Sequence, residues 1–145
     1  MIFSPTSQHA LRAMIHLALR YEGGPTLGRA IADEEGVPRQ FLSKILHTLR
    51  NAGLVKSTMG PGGGYELSMS PDKITVEQVV EAIEGPLSLD ERCILGLDEC
   101  SDENHCALHD QWKKFRFQFI NSIHKTSLSE ASRVLRKKRR ASGVL

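Results

Sequence analysis

Four glycines within five residues constrain the fold of this chain more than any other feature. They lie in the segment GPGGG at residues 60–64, between strand-like runs at residues 54–58 and 65–68. Glycine adopts positive φ and lets the backbone approach a ligand closely, so the segment predicts the tip of a β-hairpin. A phosphate-binding loop is excluded because no Gly-Lys-Ser/Thr follows. A dinucleotide-binding fingerprint is excluded because Tyr65 occupies the position of its last glycine.

Three helices are predicted before this hairpin. Apolar residues repeat at helical spacing over residues 7–19, which indicates the first helix. Thr26 is expected to cap a short second helix that ends at Gly36. Pro38 suits the first turn of a third helix, which runs to about residue 52. Two helices joined by a tight turn that contains glycine are typical of a helix-turn-helix, and the added hairpin makes it a winged helix.

The third helix has one apolar face and one polar face without acidic residues. No Asp or Glu occurs in residues 37–59. An acid-free polar face favours a DNA phosphate neighbour, although an ordinary amphipathic core helix also explains the apolar face. We expect this helix to enter the major groove and the hairpin to contact the backbone or minor groove. The predicted DNA contacts are Arg39, Gln40, Ser43, Lys44, His47, Arg50, Ser57, Gly60, Pro61, Gly62, Gly63 and Tyr65.

Three cysteines and one histidine lie within seventeen positions, at Cys93, Cys100, Cys106 and His109. An odd number of cysteines in so short a segment excludes a disulfide framework. Four such ligands can surround one metal centre. Three cysteines and a histidine suit tetrahedral zinc, whereas the absence of a Cys-x2-Cys pair favours a larger iron–sulfur cluster. Before this segment, a capping box at Thr75 predicts a fourth helix that Gly85-Pro86 stops.

Apolar residues at heptad spacing predict a long helix over residues 107–125. An isolated helix of this aromatic character needs a partner surface. A second capping box begins at Ser127 and predicts a last helix. The basic residues 136–140 that end it are expected to form a solvated, partly disordered tail, with a non-specific contact to DNA as the alternative. We use the name seam for four heptad positions and one residue that extends them, which are Leu108, Trp112, Phe115 and Phe119, with Ile123 as the extension.

The net charge of +2 hides a strong segregation of charge along the 145 residues. Residues 1–70 carry +2, residues 71–110 carry −9, and residues 111–145 carry +9. Such a distribution indicates separate surfaces with separate partners. No apolar run approaches the roughly 20 residues of a membrane span, and no secretory signal is recognisable. The expected location is therefore the cytoplasm.

Two motifs, LRNAGLV at residues 49–55 and GPGGGY at residues 60–65, carry a family resemblance. With ALRAM at residues 10–14 and ITV at residues 74–76, they resemble the Rrf2 family of bacterial winged-helix transcription regulators over roughly residues 3–130. The similarity is to the branch that contains iron–sulfur cluster regulators and nitric-oxide-sensing repressors. The implied fold is mainly α with a small β-hairpin wing, that is, a winged helix-turn-helix plus a long dimerisation helix.

The resemblance implies four regions. They are a DNA-binding domain at residues 1–85, a cluster-binding loop at 86–106, a dimerisation helix at 107–125, and a C-terminal helix with a basic tail at 126–145.

The resemblance also implies the cofactor and the partners. Cys93, Cys100 and Cys106 would hold the cluster, with His109 as the fourth ligand, and His9 of the other subunit is a reserve ligand. A two-iron cluster is the first choice and a four-iron cluster the second. The family forms twofold homodimers, here through the seam, and reads palindromic double-stranded DNA.

Two residue patterns depart from the family. Six residues separate the first two cysteines where five are usual, and Ser43 replaces a glutamate of the reading helix. Serine cannot accept from cytosine as a carboxylate does, so the operator sequence is not carried over from the family.

The sequence hypothesis is a DNA-binding transcriptional regulator whose affinity depends on an iron–sulfur cluster that senses iron, redox state, oxygen or nitric oxide. It is not expected to be an enzyme, because no acid–base or nucleophile constellation is present. Two alternatives stay open. One is a zinc-stabilised, constitutive DNA-binding regulator, and the other is an iron–sulfur redox protein that does not bind DNA.

Overall fold

The computed structural model of the chain describes residues 2–87, 93–97 and 101–143. Within these ranges the fold is mainly helical with one β-hairpin, as the sequence predicts. The helices are α1 (Pro5–Leu19), α2 (Gly28–Glu35), α3 (Arg39–Asn51), α4 (Val76–Glu84), α5 (His109–Lys125) and α6 (Leu128–Ala141). The strands are β1 (Val55–Thr58) and β2 (Gly64–Leu67), and a short 3₁₀ turn lies at Pro71–Lys73.

Local signals in the sequence set most of the helix ends. At α1, the Ser4 hydroxyl accepts a hydrogen bond from the Ser7 backbone N–H, and Pro5 occupies the first turn. The helix therefore begins two residues earlier than predicted. Gly36, at a φ of 64°, ends α2 in the left-handed conformation that the helix-turn-helix needs. The predicted capping box at Thr75 is present and starts α4.

The predicted cap at Thr26 is wrong. Leu27 is the N-cap of α2 and supplies no side-chain hydrogen bond. The backbone of Thr26 instead exchanges two hydrogen bonds of 2.8 Å with Tyr65 of β2. A Cβ atom on Gly64 would lie 2.4 Å from the Thr26 carbonyl oxygen, so only glycine allows this approach. The contact fixes the hairpin against the turn before α2.

The two strands pair antiparallel and form the hairpin that we call the wing, residues 55–67. Val55 pairs with Leu67 at its base, and Thr58 pairs with Gly64 near its tip. Both base residues are buried in the core. The wing is therefore anchored at its base, while its tip projects.

In the described ranges, one apolar core joins α1, α2, α3, α4, the start of α6 and the base of the wing. Each helix contributes only one apolar face, and no helix within the described ranges is long and apolar enough to cross a membrane. The largest fully buried side chains include Met14, Ile31, Leu42, Leu46, Leu49, Leu67, Ile74 and Leu128.

The C-terminal basic run is solvated, as predicted, but it is helical rather than partly disordered. Ser127 caps α6 by accepting a hydrogen bond from the Glu130 backbone N–H, and Leu128 is buried against the core. The helix continues to Ala141 because one face packs on α1, and because basic side chains suit the carboxyl end of a helix. The preceding helix, α5, begins at His109 rather than residue 107.

A buried carboxylate joins three of the helices. The Glu35 side chain, at the end of α2, is only 3% exposed. It accepts hydrogen bonds from His16 Nδ1 of α1 at 3.1 Å and from Arg139 Nη2 of α6 at 3.1 Å, and Arg12 Nε of α1 lies 3.4 Å away. Burial alone would raise the pKa of Glu35, but the hydrogen bonds from His16 and Arg139 outweigh it and lower the pKa from 4.5 to about 2.

Replacing Glu35 by Gln should therefore destabilise the fold in a pH-dependent way. We expect the free energy of unfolding at pH 7 to fall by about 1.5–3 kcal/mol, the usual contribution of hydrogen bonds to a charged group. The pKa of Glu35 is lowered on folding, so the stabilisation is present above pH 4.5 and is lost as the pH falls toward 2. Urea denaturation of both proteins at neutral pH and in acid measures the difference.

Glu34→Gln is the neighbouring control, because its half-exposed carboxylate pairs with Arg20 and approaches His16 only to 3.8 Å, and a surface ion pair contributes at most about 1 kcal/mol. A difference between wild type and Glu35→Gln that stays constant from pH 7 into acid would contradict the role given to this carboxylate.

Candidate nucleic-acid interface and cysteine loop

The polar face of α3 is exposed, as the sequence predicts. Gln40, Ser43, Lys44, His47 and Arg50 are all exposed to solvent. The opposite face of the same helix is buried in the core. The structure therefore presents a row of polar and basic side chains on a helix that is rigidly packed from behind.

A hydrogen bond joins this face to the wing. Arg50 Nη1 donates to Ser57 Oγ of β1 at 3.3 Å, and Arg50 Nη2 donates to His47 Nδ1 at 3.0 Å. The contact places three predicted DNA contacts side by side. It also links α3 to the first strand of the wing.

Arg39, another predicted DNA contact, forms an ion pair with an acidic residue of α2. Its guanidinium donates to both carboxylate oxygens of Asp33, at 2.8 Å and 3.2 Å. This hydrogen bond lowers the pKa of Asp33. Both side chains are exposed, so the pair is accessible to a charged ligand from solvent. The pair spans the turn between α2 and α3, and no helical periodicity reveals it.

A small cleft of about 160 Å³ gathers further residues beside α3. Arg29 of α2 lies there with Arg39, Ser43 and Tyr65, and sequence reasoning had missed Arg29 because it lies on another helix. A Cβ atom on Gly28 would lie 3.3 Å from the Tyr65 ring, so this glycine lets the ring pack closely against α2.

The predicted DNA contacts at the tip of the wing differ in their exposure to solvent. Gly60, Pro61 and Gly62 are exposed, whereas Gly63 is buried and Tyr65 is half-buried. Gly63 and Tyr65 thus have packing roles in the wing. Met59, which was not predicted, is 94% exposed and is the most prominent apolar side chain at the tip.

The cysteine loop brings two of the three predicted thiol ligands together. Cys93 is buried, Cys106 is half-buried, and both are free thiols. The backbone N–H of Leu95 and the Cys106 thiol both hydrogen-bond to Cys93 and lower the pKa of the Cys93 thiol. Cys100 lies outside the described residues. Among those that are described, no three His, Cys, Asp or Glu side chains form a metal-binding group.

His109 lies at the start of α5, beside the cysteine loop. Its ring is 3% exposed, and its Nε2 atom is 2.9 Å from Asp102 Oδ1. Lys113 Nζ also donates to Asp102, at 2.7 Å and 2.8 Å. The hydrogen bonds from Lys113 and His109 lower the pKa of Asp102 to about 2. Asp102 therefore ties the loop to α5.

The reserve ligand, His9, lies on α1 with its ring edge-on to Phe41 at 5.6 Å. Its Nδ1 atom is buried and has no hydrogen-bond partner among the described residues.

The seam of α5 forms an aromatic ladder. Trp112 stacks on Phe115 at 5.7 Å, and Phe115 stacks on Phe119 at 5.9 Å. Leu108 and Phe115 are exposed, but Ile123 is already buried within the chain, so the exposed part of the seam ends at Phe119.

Some buried donors on α5 have no acceptor among the residues that the structure describes. In the described ranges, Trp112 Nε1 and the Nε and Nη1 atoms of Arg116 are buried without a hydrogen-bond partner. Phe117, on the other side of the helix, is 65% exposed and was missed because it does not follow the heptad spacing. Such groups are typical of a surface that meets another surface.

The helix-turn-helix, the wing and the exposed face of α3 define the class of winged-helix transcriptional regulators. The chain matches the family described as "Rrf2: Iron-dependent Transcriptional regulator" over residues 3–133. It belongs to the Rrf2 family, and the expected fold and family are confirmed.

Individual relatives are regulators as well. A putative HTH-type transcriptional regulator of Aquifex aeolicus is 35% identical over 90% of both chains. The HTH-type transcriptional regulator IscR of Aliivibrio salmonicida is 32% identical over 85% of this chain and 72% of its own. CymR, the global cysteine regulator of Bacillus subtilis, has a TM-score of 0.78 at 30% identity, covering 91% of this chain and 96% of its own.

The Asp33–Arg39 pair generates a test of the interface. In Asp33→Asn the side chain keeps its size but releases Arg39 and removes a negative charge beside α3. We expect affinity for duplex DNA at low salt to rise by about 5-fold, since one stronger ionic contact forms. Fluorescence anisotropy with a labelled duplex measures this. Asp72→Asn, an exposed acid of the 3₁₀ turn, is the control and should leave affinity unchanged. If Asp33→Asn and Asp72→Asn have the same affinity for the duplex, the prediction that Arg39 contacts DNA is wrong.

Proposed function

We propose that this protein is a homodimeric, sequence-specific DNA-binding regulator whose affinity for its operator is controlled by an iron–sulfur cluster. The DNA-binding part rests on one observation above all. The exposed face of α3 carries Lys44, His47 and Arg50 with no acid among them, and Arg50 joins that face to the wing. An interface of this charge and shape fits the phosphates and base edges of a major groove.

Each element of the interface has a defined task in this proposal. Basic side chains such as Lys44 neutralise phosphates and position the protein, while Gln40 and Ser43 face base edges. The exposed tip of the wing follows the backbone or the adjacent minor groove. Ser43 hydrogen-bonds less selectively than a carboxylate, so the operator differs from those of relatives that carry glutamate at this place.

The homodimer proposal is supported by α5. Its aromatic ladder is partly exposed, and the buried donors of Trp112 and Arg116 have no acceptor among the described residues. A second copy of the chain would cover the ladder and supply acceptors. A twofold dimer presents two copies of α3, which implies a palindromic operator with half-sites separated by a helical turn or more.

The cluster proposal is supported by the contact between Cys93 and Cys106. Two adjacent thiols, one of which accepts a backbone N–H hydrogen bond, fit the thiolate ligands of a soft metal centre. Cys100 and His109 would complete the ligand set, for a two-iron cluster first and a four-iron cluster second. When bound, such a group supplies a cross-link that depends on iron and redox state. The family's description as iron-dependent and the similarity to IscR favour this over zinc.

The loop is coupled to the dimer helix through Asp102, which His109 and Lys113 both contact. A filled ligand set would hold this loop in one arrangement and thereby bias how two α5 helices meet. The ligand set can shift DNA binding only by its differential stabilisation of one arrangement. Couplings of this kind change affinity by about 5–150-fold.

The metal ligands can be tested without DNA. Cys93→Ala, Cys100→Ala and Cys106→Ala should each abolish the visible absorption of anaerobically purified protein, because one lost thiolate exposes iron to solvent. His109→Ala should shift or weaken the bands. His105→Ala is the matched control, since its ring lies 5.4 Å from that of His109 but is not a proposed ligand. Visible spectra with iron, sulfide and zinc analysis decide the outcome.

Full absorption in all three cysteine variants would overturn the cluster assignment. Colourless protein that contains stoichiometric zinc would assign the same residues to the zinc-stabilised alternative.

The regulatory claim is tested by titrating duplex DNA selected from a random pool with metal-loaded and metal-free protein at one salt concentration. We expect the two forms to differ by about 5–150-fold in affinity, or in which duplexes they accept. In either form, Lys44→Ala and Arg50→Ala should weaken binding. Each variant should also reduce the slope of log Kd against log salt by about one. Lys125→Ala, on the exposed end of α5, is the control.

Equal affinities of the two forms for every duplex would leave the metal centre with a structural role only. Binding that neither variant changes would overturn the DNA interface on α3.

A further inference from the structure

Four cations form a stripe along the exposed side of α6. Arg133, Arg136, Lys137 and Arg140 follow the spacing i, i+3, i+4 and i+7, which places them on one helix face, and all four are exposed. The other side of the helix packs on α1 through residues that include the buried Leu128. We call these four residues the α6 stripe.

The fold does not require this stripe. The helix dipole favours cations in the last turn, but the stripe begins more than one turn earlier, at Arg133. Like charges three and four residues apart repel each other and weaken a helix. No acidic residue occurs in residues 131–145, and none of the four pairs with a carboxylate in the described part of the chain. The stripe is therefore a concentrated, uncompensated positive surface.

The carboxyl end of α6 is fixed beside the helix-turn-helix. Arg139, on the buried side of α6, donates to Glu35, the last residue of α2. Gly36 then turns the chain into α3, which begins at Arg39. The wing follows the carboxyl end of α3, so the end of α6 and the wing lie at opposite ends of the helix proposed to read DNA.

We propose that the α6 stripe binds the phosphate backbone of duplex DNA beside the segment contacted by α3. The inference rests on the proposed function, since α3 must first bring the duplex to this side of the protein. A duplex is a polyanion whose counterions are released when basic side chains replace them, which makes such a contact favourable and salt-dependent. Phosphates carry no sequence information, so the stripe adds affinity and register but not base selectivity.

Two neighbouring lysines offer a matched pair for the test. Lys137 lies on the stripe and Lys138 lies off it, on the same helix and with the same charge. In the full-length protein, Lys137→Gln should reduce the slope of log Kd against log salt by about 0.9, and Lys138→Gln should leave it unchanged. The probes are a duplex selected by the protein from a random pool and a scrambled duplex of equal length.

A triple variant amplifies the effect. Arg133→Gln/Lys137→Gln/Arg140→Gln should lower the slope by about 2–3 and weaken binding at least about tenfold for both duplexes alike. Lys73→Gln/Lys114→Gln/Lys125→Gln removes the same charge from exposed residues elsewhere and should leave the slope unchanged. Circular dichroism and sedimentation verify that all variants keep the helix content and mass of the wild type.

Several results would overturn the inference. They are equal effects of Lys137→Gln and Lys138→Gln, an unchanged slope in the stripe variant, or a loss confined to the selected duplex. Weakened binding of single-stranded RNA with unchanged duplex binding would assign the stripe to RNA and also overturn it. If the wild type binds neither duplex, the proposed function itself fails; a wild type that binds while the stripe variants match their controls rejects the stripe alone.

Discussion

The arrangement of the helices depends on how the buried charge of Glu35 is satisfied. A carboxylate removed from water is costly unless cations and donors surround it. Here the partners come from two other helices, His16 and Arg12 of α1 and Arg139 of α6. Glu35 immediately precedes Gly36, where the chain turns from α2 into α3. The charge that holds α1, α2 and α6 together therefore also anchors the start of this turn.

This constraint explains how α3 presents a polar face without acidic residues to balance it. The buried face of this helix packs in the core. Its amino end follows the turn after Glu35, and its carboxyl end contacts the wing through Arg50 and Ser57. Stability is supplied by the buried face of α3, so the exposed face is free to carry cations. Among the described residues, Asp33 is the acid that pairs with a side chain of that face, and both Asp33 and Arg39 are exposed.

The proposed sensor uses a second set of contacts, remote from the core. Cys93 and Cys106 meet in the loop before α5, and Asp102 ties that loop to His109 and Lys113 of the helix itself. A change in the loop therefore acts first on α5, whose aromatic ladder is the proposed dimer contact. In a twofold dimer, a small change at that contact alters the separation of the two α3 helices. This separation must match the spacing of the two half-sites in a palindromic operator.

The sequence alone determined the helices, the glycine hairpin, the capping box at Thr75, the family and the exposed face of α3, because these follow from local spacing and from motifs only a few residues long. It predicted Thr26 as a cap and the basic run as a tail, and it missed Asp33 and Arg29. Only the tertiary structure decided these points, since Thr26 meets Tyr65 and Arg139 meets Glu35 across the fold. It also places the Cys93 thiol beside that of Cys106. Periodicity records which face of an element is buried, but not which distant residue satisfies its charges and hydrogen bonds.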